Sequence, residues 1–578
     1  MSVSNYDKFP ATTLSGYIRL GWDNILPEFE RLIRSHGPVL AVETYVGIHL
    51  SEIVEALRQL APDLLLQTPD LFKTTSDVET MTQRFVTDDP IFGYRSSLTL
   101  SDYLDEKKVA EIEQLLRDTP DRTAVIIGPG ASLVAPPFAP IIYADLARWE
   151  HQQRMKNNAV SALGIDIRDT GFSNQHKRAY FNDWPVCDAH KKTLFDRVSY
   201  WLDTHVPTQP KLIDKATFFE GIERTVNKPF RVVPYFAPAP WGGQWMKEMF
   251  HLDKDERNYG WCFDCVPEEN SLLFDIDGER FELPSINLVF LRSRELLGEP
   301  VESRFGQEFP IRFDFLDTMG GGYLSFQVHP TTTFIKDHFG MSYTQDESYY
   351  MMEAKKNATV YLGLKNRVNR DAMASDLRRA ACGELVFDTE KYANKWPAKK
   401  HDHFLIPAGT VHCSGPEGVV LEISATPNHF TFKMWDWGRV GLDGKPRPIN
   451  VERGLQVIDW NRDTTYTKNQ LFNVISTIDE GDGWKEERTG LHPNEFIETR
   501  RHTFSTKVTH RGNGSVHVLN LVEGEEVVVE SDTQAFEPFV VHYAETFIVP
   551  AQIDQYSIRP WGKSIGKTCM TLKAYIRF

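Results

Sequence analysis

Four residues near the middle of the chain have the types and spacings needed to hold a divalent cation. Two of them lie in Tyr323-Leu324-Ser325-Phe326-Gln327-Val328-His329-Pro330, a run entered through Gly320-Gly321-Gly322 in which polar and apolar residues alternate. A strand sends successive side chains to opposite faces, so Ser325, Gln327 and His329 share one face and Leu324, Phe326 and Val328 the other. A Gln and a His two apart on one strand can reach a single point. Glu347, in Asp346-Glu347-Ser348-Tyr349-Tyr350, adds a carboxylate. His412, closing Ile406-Pro407-Ala408-Gly409-Thr410-Val411-His412, adds a second imidazole. Such a set of N and O donors suits zinc best among the common divalent ions, with a substrate or water oxygen as an extra ligand. The competing reading of the same residues is a buried, hydrogen-bonded polar cluster.

These three fragments, in this order, resemble the metal site of type I mannose-6-phosphate isomerases, which are cupin proteins. The resemblance implies one zinc ion per chain, held by Gln327, His329, Glu347 and His412. It also implies an aldose–ketose isomerase that interconverts mannose 6-phosphate and fructose 6-phosphate through an enediol. The segment from Arg439 to Lys445 resembles the family's Arg-x-Gly-Leu-x-x-Lys. Arg439 is then expected to steady the negative charge of an enediolate, and Lys445 to hold phosphate. Trp241-Gly242-Gly243 resembles the opening of the family's catalytic domain, and Trp241 and Ser325 join Lys445 as expected substrate contacts. Glu422 sits on the face opposite Leu421 and is the carboxylate expected to move the proton, with His338 behind it. Two departures keep a second expectation open, a non-catalytic cupin that senses sugar phosphate or acts as a scaffold. The family has a Lys two residues before the Glu ligand, where this chain has Gln345, and an amide takes no proton near neutral pH. The Lys in the family's Phe-Pro-x-x-x-Lys-Phe-Leu-Asp strand is Asp314 here, with Arg312 on the same face.

The elements that must position these residues come from a chain of 578 residues, too long for one hydrophobic core. Its net charge of −16 argues against general nucleic-acid binding while allowing a local basic pocket. No apolar run approaches a membrane span, and the first ten residues lack the apolar core of a signal peptide. Six Cys in this length do not make a disulfide framework, so a reducing cytoplasm is the expected location. Cys262 and Cys265 form a lone C-x-x-C, read as structural thiols.

The expected fold class is multidomain, an N-terminal α/β domain followed by a mainly β double-cupin module with a small helical insertion. Residues 1–210 read as α/β: a compact apolar run at Val39-Leu40-Ala41-Val42-Glu43, a helix over 50–60, a strand at 123–127 and a helix over 143–156. The layout faintly resembles a P-loop kinase of the uridine-kinase kind. However, Thr44-Tyr45-Val46-Gly47-Ile48-His49-Leu50-Ser51 lacks the glycines, the Lys and the Ser/Thr that cradle phosphate, so nucleotide binding is not expected. Residues 211–455 are expected to form the metal-binding cupin domain, with helices inserted near 366–400, one over 371–382 and another over 388–396. In Phe309-Pro310-Ile311-Arg312-Phe313-Asp314-Phe315-Leu316-Asp317 the Ile and Phe side chains are expected to form the buried face. Residues 456–578 are expected to hold a linker to about 500 and a second, metal-free cupin, with a hairpin over 516–529 turning at Glu523-Gly524-Glu525.

Overall fold

The run Val39–Thr44 is apolar at successive positions, as a strand covered on both faces must be, and all of it is buried. In the computed structural model, which describes residues 4–426, 429–441, 444, 447–490 and 492–578, this strand is central to a seven-stranded sheet. The order across the sheet is Ile18–Leu20, Lys211–Asp214, Val198–Asp203, Ile141–Asp145, Val39–Thr44, Ala124–Gly128 and Leu64–Gln67. The last five run parallel, and the first two are antiparallel additions at one edge. Because Lys211–Asp214 pairs with Val198–Asp203, the expected break at 210 falls between two paired strands. The layer continues through the helix Lys215–Val226, whose Phe218 stacks on Trp201 with ring centroids 3.8 Å apart.

The helix expected over 143–156 divides into the buried strand Ile141–Asp145 and the helix Arg148–Lys156. Its first residues, Tyr-Ala-Asp, complete a fully buried strand whose lateral pairing outweighs their helical tolerance. The loop after Val39–Thr44 is filled from within. A Cβ on Gly47, at φ +92°, would fall 2.3 Å from the His151 ring, and Arg154 Nη1 donates to the Gly47 carbonyl at 3.0 Å. At the neighbouring strand end, the amides of Gly130 and Ser132 donate to the buried carboxylate of Glu43. An internal anion thus already uses those donors.

The strand Ala11–Leu14 leaves this unit and pairs in parallel with Ser271–Ile276, which pairs in turn with Glu279–Pro284. Two facing sheets follow. One has the order His403–Ile406, Glu347–Ala354, Gly418–Ala425, Ile311–Asp317, Trp261–Cys265, Tyr235–Ala237. The other has Ala393–Pro397, Thr359–Leu364, His412–Ser414, Phe326–Val328, Phe432–Trp435. The insertion carries the helix Arg370–Ala381, but the stretch over 388–396 is one turn, Thr389–Tyr392, running into the strand Ala393–Pro397. That strand finds a partner in Thr359–Leu364, which decides its conformation.

The C-terminal sandwich has a six-stranded and a four-stranded sheet. Much of the expected linker belongs to it, since Ser476–Gly481, Trp484–Gly490 and Ile497–Phe504 are its strands. The expected hairpin over 516–529 does not form. His517–Glu523 pairs with Thr546–Val549 and Cys569–Ile576, whereas Glu526–Glu530 pairs with Phe539–His542 and Gln555–Pro560 in the opposite sheet. Gly524, at φ +104° and packed on Cys569, turns the chain from one sheet to the other. Both strands are largely buried, and alternation alone does not tell a hairpin from a corner between sheets.

Candidate metal centre and the cavity above it

The registers of the first sandwich bring the candidate residues together. On one sheet, pairing sets Arg312, Ser424 and Glu347 in a row, and Asp314, Glu422 and Tyr349 in the next row on the same face. The whole strand Ile311–Asp317 is buried, so both of its faces are used. Ile311, Phe313 and Phe315 pack outward into the large core, and Arg312 and Asp314 face the interior. On the opposite sheet His412, Gln327 and Lys433 are direct cross-strand neighbours. The glycines ahead of the first run allow a close approach: a Cβ on Gly321 would fall 2.3 Å from the Trp241 carbonyl oxygen. The triple glycine therefore lies flat against Trp241-Gly242-Gly243, and Gly322 N donates to Trp241 O at 2.9 Å.

His329, Glu347 and His412 each offer a ligand atom, and these atoms lie within 4.8 Å of one another. His329 Nδ1 lies 3.0 Å from the Phe430 carbonyl oxygen and His412 Nδ1 lies 2.9 Å from the Thr410 carbonyl oxygen. A carbonyl only accepts, so each Nδ1 carries the proton and each Nε2 keeps its lone pair, the usual outer arrangement for a metal-binding imidazole. His329 Nε2 is 3.1 Å from Glu347 Oε2, and His412 Nε2 is 2.9 Å from Glu347 Oε1. Even so, His329 Nε2 and Glu347 Oε1 have no hydrogen-bond partner among the described residues. Short but misaligned, these atoms converge on a shared point more than on each other. Burial pushes the Glu347 carboxyl upward, but charge and hydrogen bonds from His329 and His412, when those imidazoles are protonated in place of a bound cation, outweigh it and hold the group ionised. Gln327 Nε2 stands 3.2 Å from His412 Nε2. The two ends of an amide are exchanged by a simple flip, which would turn Oε1 to that point. The donor set fits a divalent cation.

Beside the centre lie two more buried carboxyls. Asp314 is pushed up to about 7 by burial and by Glu347, against the pull of Arg312. Glu422 is raised well above the usual carboxylate range by burial and by Asp314 and Glu347. Gln345 Nε2 donates to Glu347 Oε2 at 3.0 Å and lies 3.4 Å from Glu422 Oε1, so it spans the ligand and the candidate proton carrier.

Above these groups opens a cavity of about 430 Å³, lined by Trp241, Ser325, Gln327, Glu347 and Glu422 among the expected site residues. Arg439 does not line it. Its guanidinium bonds to the Tyr323 carbonyl and the Asp436 carboxylate, which also holds Arg447 at 2.7 Å. Lys445 lies outside the described residues. His338 is exposed on the helix Thr332–Phe339, its ring against Phe334, away from the cavity. Two lining cations had no expected role, Lys433 and Arg447. Burial pushes Lys433 down to about 8, and among the described residues no carboxylate forms an ion pair with it. The alternation of Phe432-Lys433-Met434 could have marked it, since a lone Lys between two buried apolar residues points to the opposite face.

Three comparisons bear on this arrangement. A family model described as "Domain of unknown function (DUF8485)" matches residues 21–227. Mannose-6-phosphate isomerase ManA of Bacillus subtilis (strain 168) is 24% identical over 233 residues, 40% of this chain and 69% of that protein. The mannose-6-phosphate isomerase of Streptococcus mutans is 24% identical over 220 residues, 38% of this chain and 64% of that protein. Among solved structures, the mannose 6-phosphate isomerase from Bacillus subtilis covers 60% of this chain and 100% of its own, with a TM-score of 0.49 and 18% identity. A mutant phosphomannose isomerase from Salmonella typhimurium covers 61% and 100%, with a TM-score of 0.47 and 14% identity. About two fifths of this chain is therefore similar in sequence to proteins named mannose-6-phosphate isomerase.

Proposed function

We propose that the chain is a metal-dependent isomerase that interconverts mannose 6-phosphate and fructose 6-phosphate. The observation that carries this reading is the convergence of His329, Glu347 and His412, with unused buried ligand atoms, at the base of a cavity whose lining includes Lys433, Arg447 and Arg312. Gln327, His329, Glu347 and His412 would hold one zinc ion. A bound zinc supplies Lewis acidity, lowering the cost of charge on the sugar's carbonyl and hydroxyl oxygens.

The remaining work falls to the protein's own side chains. Lys433 and Arg447 bind the phosphate as a point charge and a fork, and Trp241 and Ser325 bound the sugar. Moving a proton between neighbouring carbons needs a group that can both take and give one near neutral pH. Glu422 is that group, and Asp314 beside it shares its proton load. Gln345 cannot exchange a proton, so its amide orients Glu422 toward the substrate and away from Glu347. Arg439 acts through Asp436 by holding Arg447 in position, which makes it a positioning residue. The metal-bearing unit is cupin-like, the C-terminal sandwich is a second, metal-free cupin, and the α/β unit transfers no phosphate.

A sensing protein that binds sugar phosphate without turnover is the second reading, favoured by Gln345 in place of a basic side chain. Purified protein given mannose 6-phosphate in deuterated water separates the two. Formation of fructose 6-phosphate, with label at carbon 1 or carbon 2 where the proton exchanges with solvent, is expected. Binding with neither product nor label would leave the sensing reading.

A further inference from the structure

Two elements of the α/β unit reach the cavity: the helix Arg148–Lys156 contributes Gln152, and the helix Phe172–Arg178 contributes Phe172 and His176. This wall is fixed to the first sandwich. Phe92 is 2% exposed, packed against Phe339, Phe430 and Phe432. His429 Nε2 donates to the Ile91 carbonyl at 2.9 Å, and Asp89 pairs with Arg453. Gln152 is 8% exposed, lines the cavity, and its Nε2 has no hydrogen-bond partner among the described residues. Buried amide donors are nearly always used, so an unused one on a side chain that lines a cavity marks a place where an oxygen belongs once a small rotation of that side chain presents the donor. Among the cavity's charged residues, Lys433 has no ion pair among the described residues, and together with Arg447 it favours a negative charge on what carries that oxygen.

We propose that Gln152 donates from Nε2 to a phosphate oxygen of the bound sugar phosphate, so that the α/β unit supplies part of a distal subsite. The inference rests on the isomerase reading and adds to it a residue lying far upstream of the sandwich that holds the metal ligands.

The test uses the full-length protein with Gln152→Met, Gln152→Ala and Gln152→Glu, in steady-state kinetics with mannose 6-phosphate. Met keeps the length and apolar stem while removing the donor. KM is expected to rise about 10-fold in the Met and Ala variants, the size of one hydrogen bond to a charged group, with kcat within about twofold. Glu should raise KM further than Ala by placing a carboxylate beside the phosphate. Thermal midpoints of the Met and wild-type proteins should agree. An unchanged KM in both Met and Ala variants would overturn the inference and leave the isomerase reading standing. So would a fall in kcat and midpoint together at constant KM, which is the mark of a structural role. Absence of both binding and turnover in the wild-type protein overturns the isomerase reading, and this inference with it, before any variant is measured.

Discussion

His329 and His412 in the first sandwich, and His502, His510 and His517 in the C-terminal one, are all at most 2% exposed, yet their nitrogens meet different neighbours. In the first sandwich the two Nε2 atoms and the Glu347 carboxylate turn toward one point, and among the described residues no lysine or arginine pairs with that carboxylate. In the second, a cation is already in place. Lys573 Nζ lies 3.5 Å from His510 Nδ1 and 4.0 Å from Glu486 Oε1, and Arg500 also holds Glu486, at 2.9 Å. His517 Nδ1 is engaged with the Tyr556 hydroxyl at 2.8 Å, and His510 stacks on the same ring. Among the described residues no three His, Cys or carboxylate ligands converge there. A divalent ion beside a buried ammonium would meet strong repulsion in a medium of low dielectric. Buried histidine is therefore not enough to make a metal site. What matters is whether the lone pairs converge and whether a protein cation has taken the space.

The comparison breaks most sharply at the ligands. His412→Ala and Glu347→Gln are each expected to lose most of about one equivalent of bound metal, read by elemental analysis of purified protein. Activity should fall by at least ~100-fold, the scale of removing one electrostatic contact to the transition state. Full metal content in both variants would return these residues to the role of a polar cluster. Next in size is Lys433→Ala, expected to raise KM for mannose 6-phosphate roughly 10- to 100-fold with a smaller effect on kcat, while Lys433→Arg recovers part of the loss. A KM unaffected by either change would remove Lys433 from the phosphate subsite.

Smaller effects sharpen the other side. Burial pushes Lys573 down to about 8, well below the ordinary value of 10.5. Between those two values the unfolded chain binds more protons than the folded one, so stability contributed here rises with pH over that window. The thermal midpoint of Lys573→Met, which keeps the volume and drops the charge, should therefore climb less from pH 8 to pH 10 than that of the wild-type protein. Parallel curves would show that the ammonium is not held inside the sandwich as described. The smallest effect is the most diagnostic for the comparison. His510→Ala is expected to leave both metal content and isomerase activity unchanged, and metal lost on that substitution would place a second site where none is expected.

Within the first sandwich, reading the chain by alternation located most of the site. Ser325, Gln327 and His329 share a face because a strand has a period of two, and no packing detail can alter that. Glu422 faces the cavity for the same reason. The glycine runs before Leu324 and after Trp241 were visible as motifs, but their mutual docking was not, because it depends on two turns meeting from different strands. Local patterns misled where pairing partners decide the conformation. Ile141–Asp145 and Ala393–Pro397 carry residues that tolerate a helix and became strands because sheet partners were available, on both sides for the first and on one side for the second. The stretch over 516–529 reads as a hairpin locally, yet each of its strands found better neighbours in opposite sheets.

By itself, the sequence determined the chemistry of the centre: two imidazoles, a carboxylate and an amide, spaced so that strands of period two could turn them inward. It also supplied the expectation that the loop after Val39–Thr44 does not cradle phosphate, since Tyr45 and Val46 stand where glycines would be needed. Only the tertiary structure decided which cations face the cavity. Lys433 enters through its register opposite Gln327, whereas Arg439, the better match to a motif, is bound to Asp436 and the Tyr323 carbonyl. Only the tertiary structure brought Gln152 to the same cavity, from a helix in a different layer of the molecule. The physical reason is range. Backbone alternation acts over neighbouring residues and is written in the chain, but the direction a long side chain takes depends on partners that the fold alone brings within hydrogen-bonding distance.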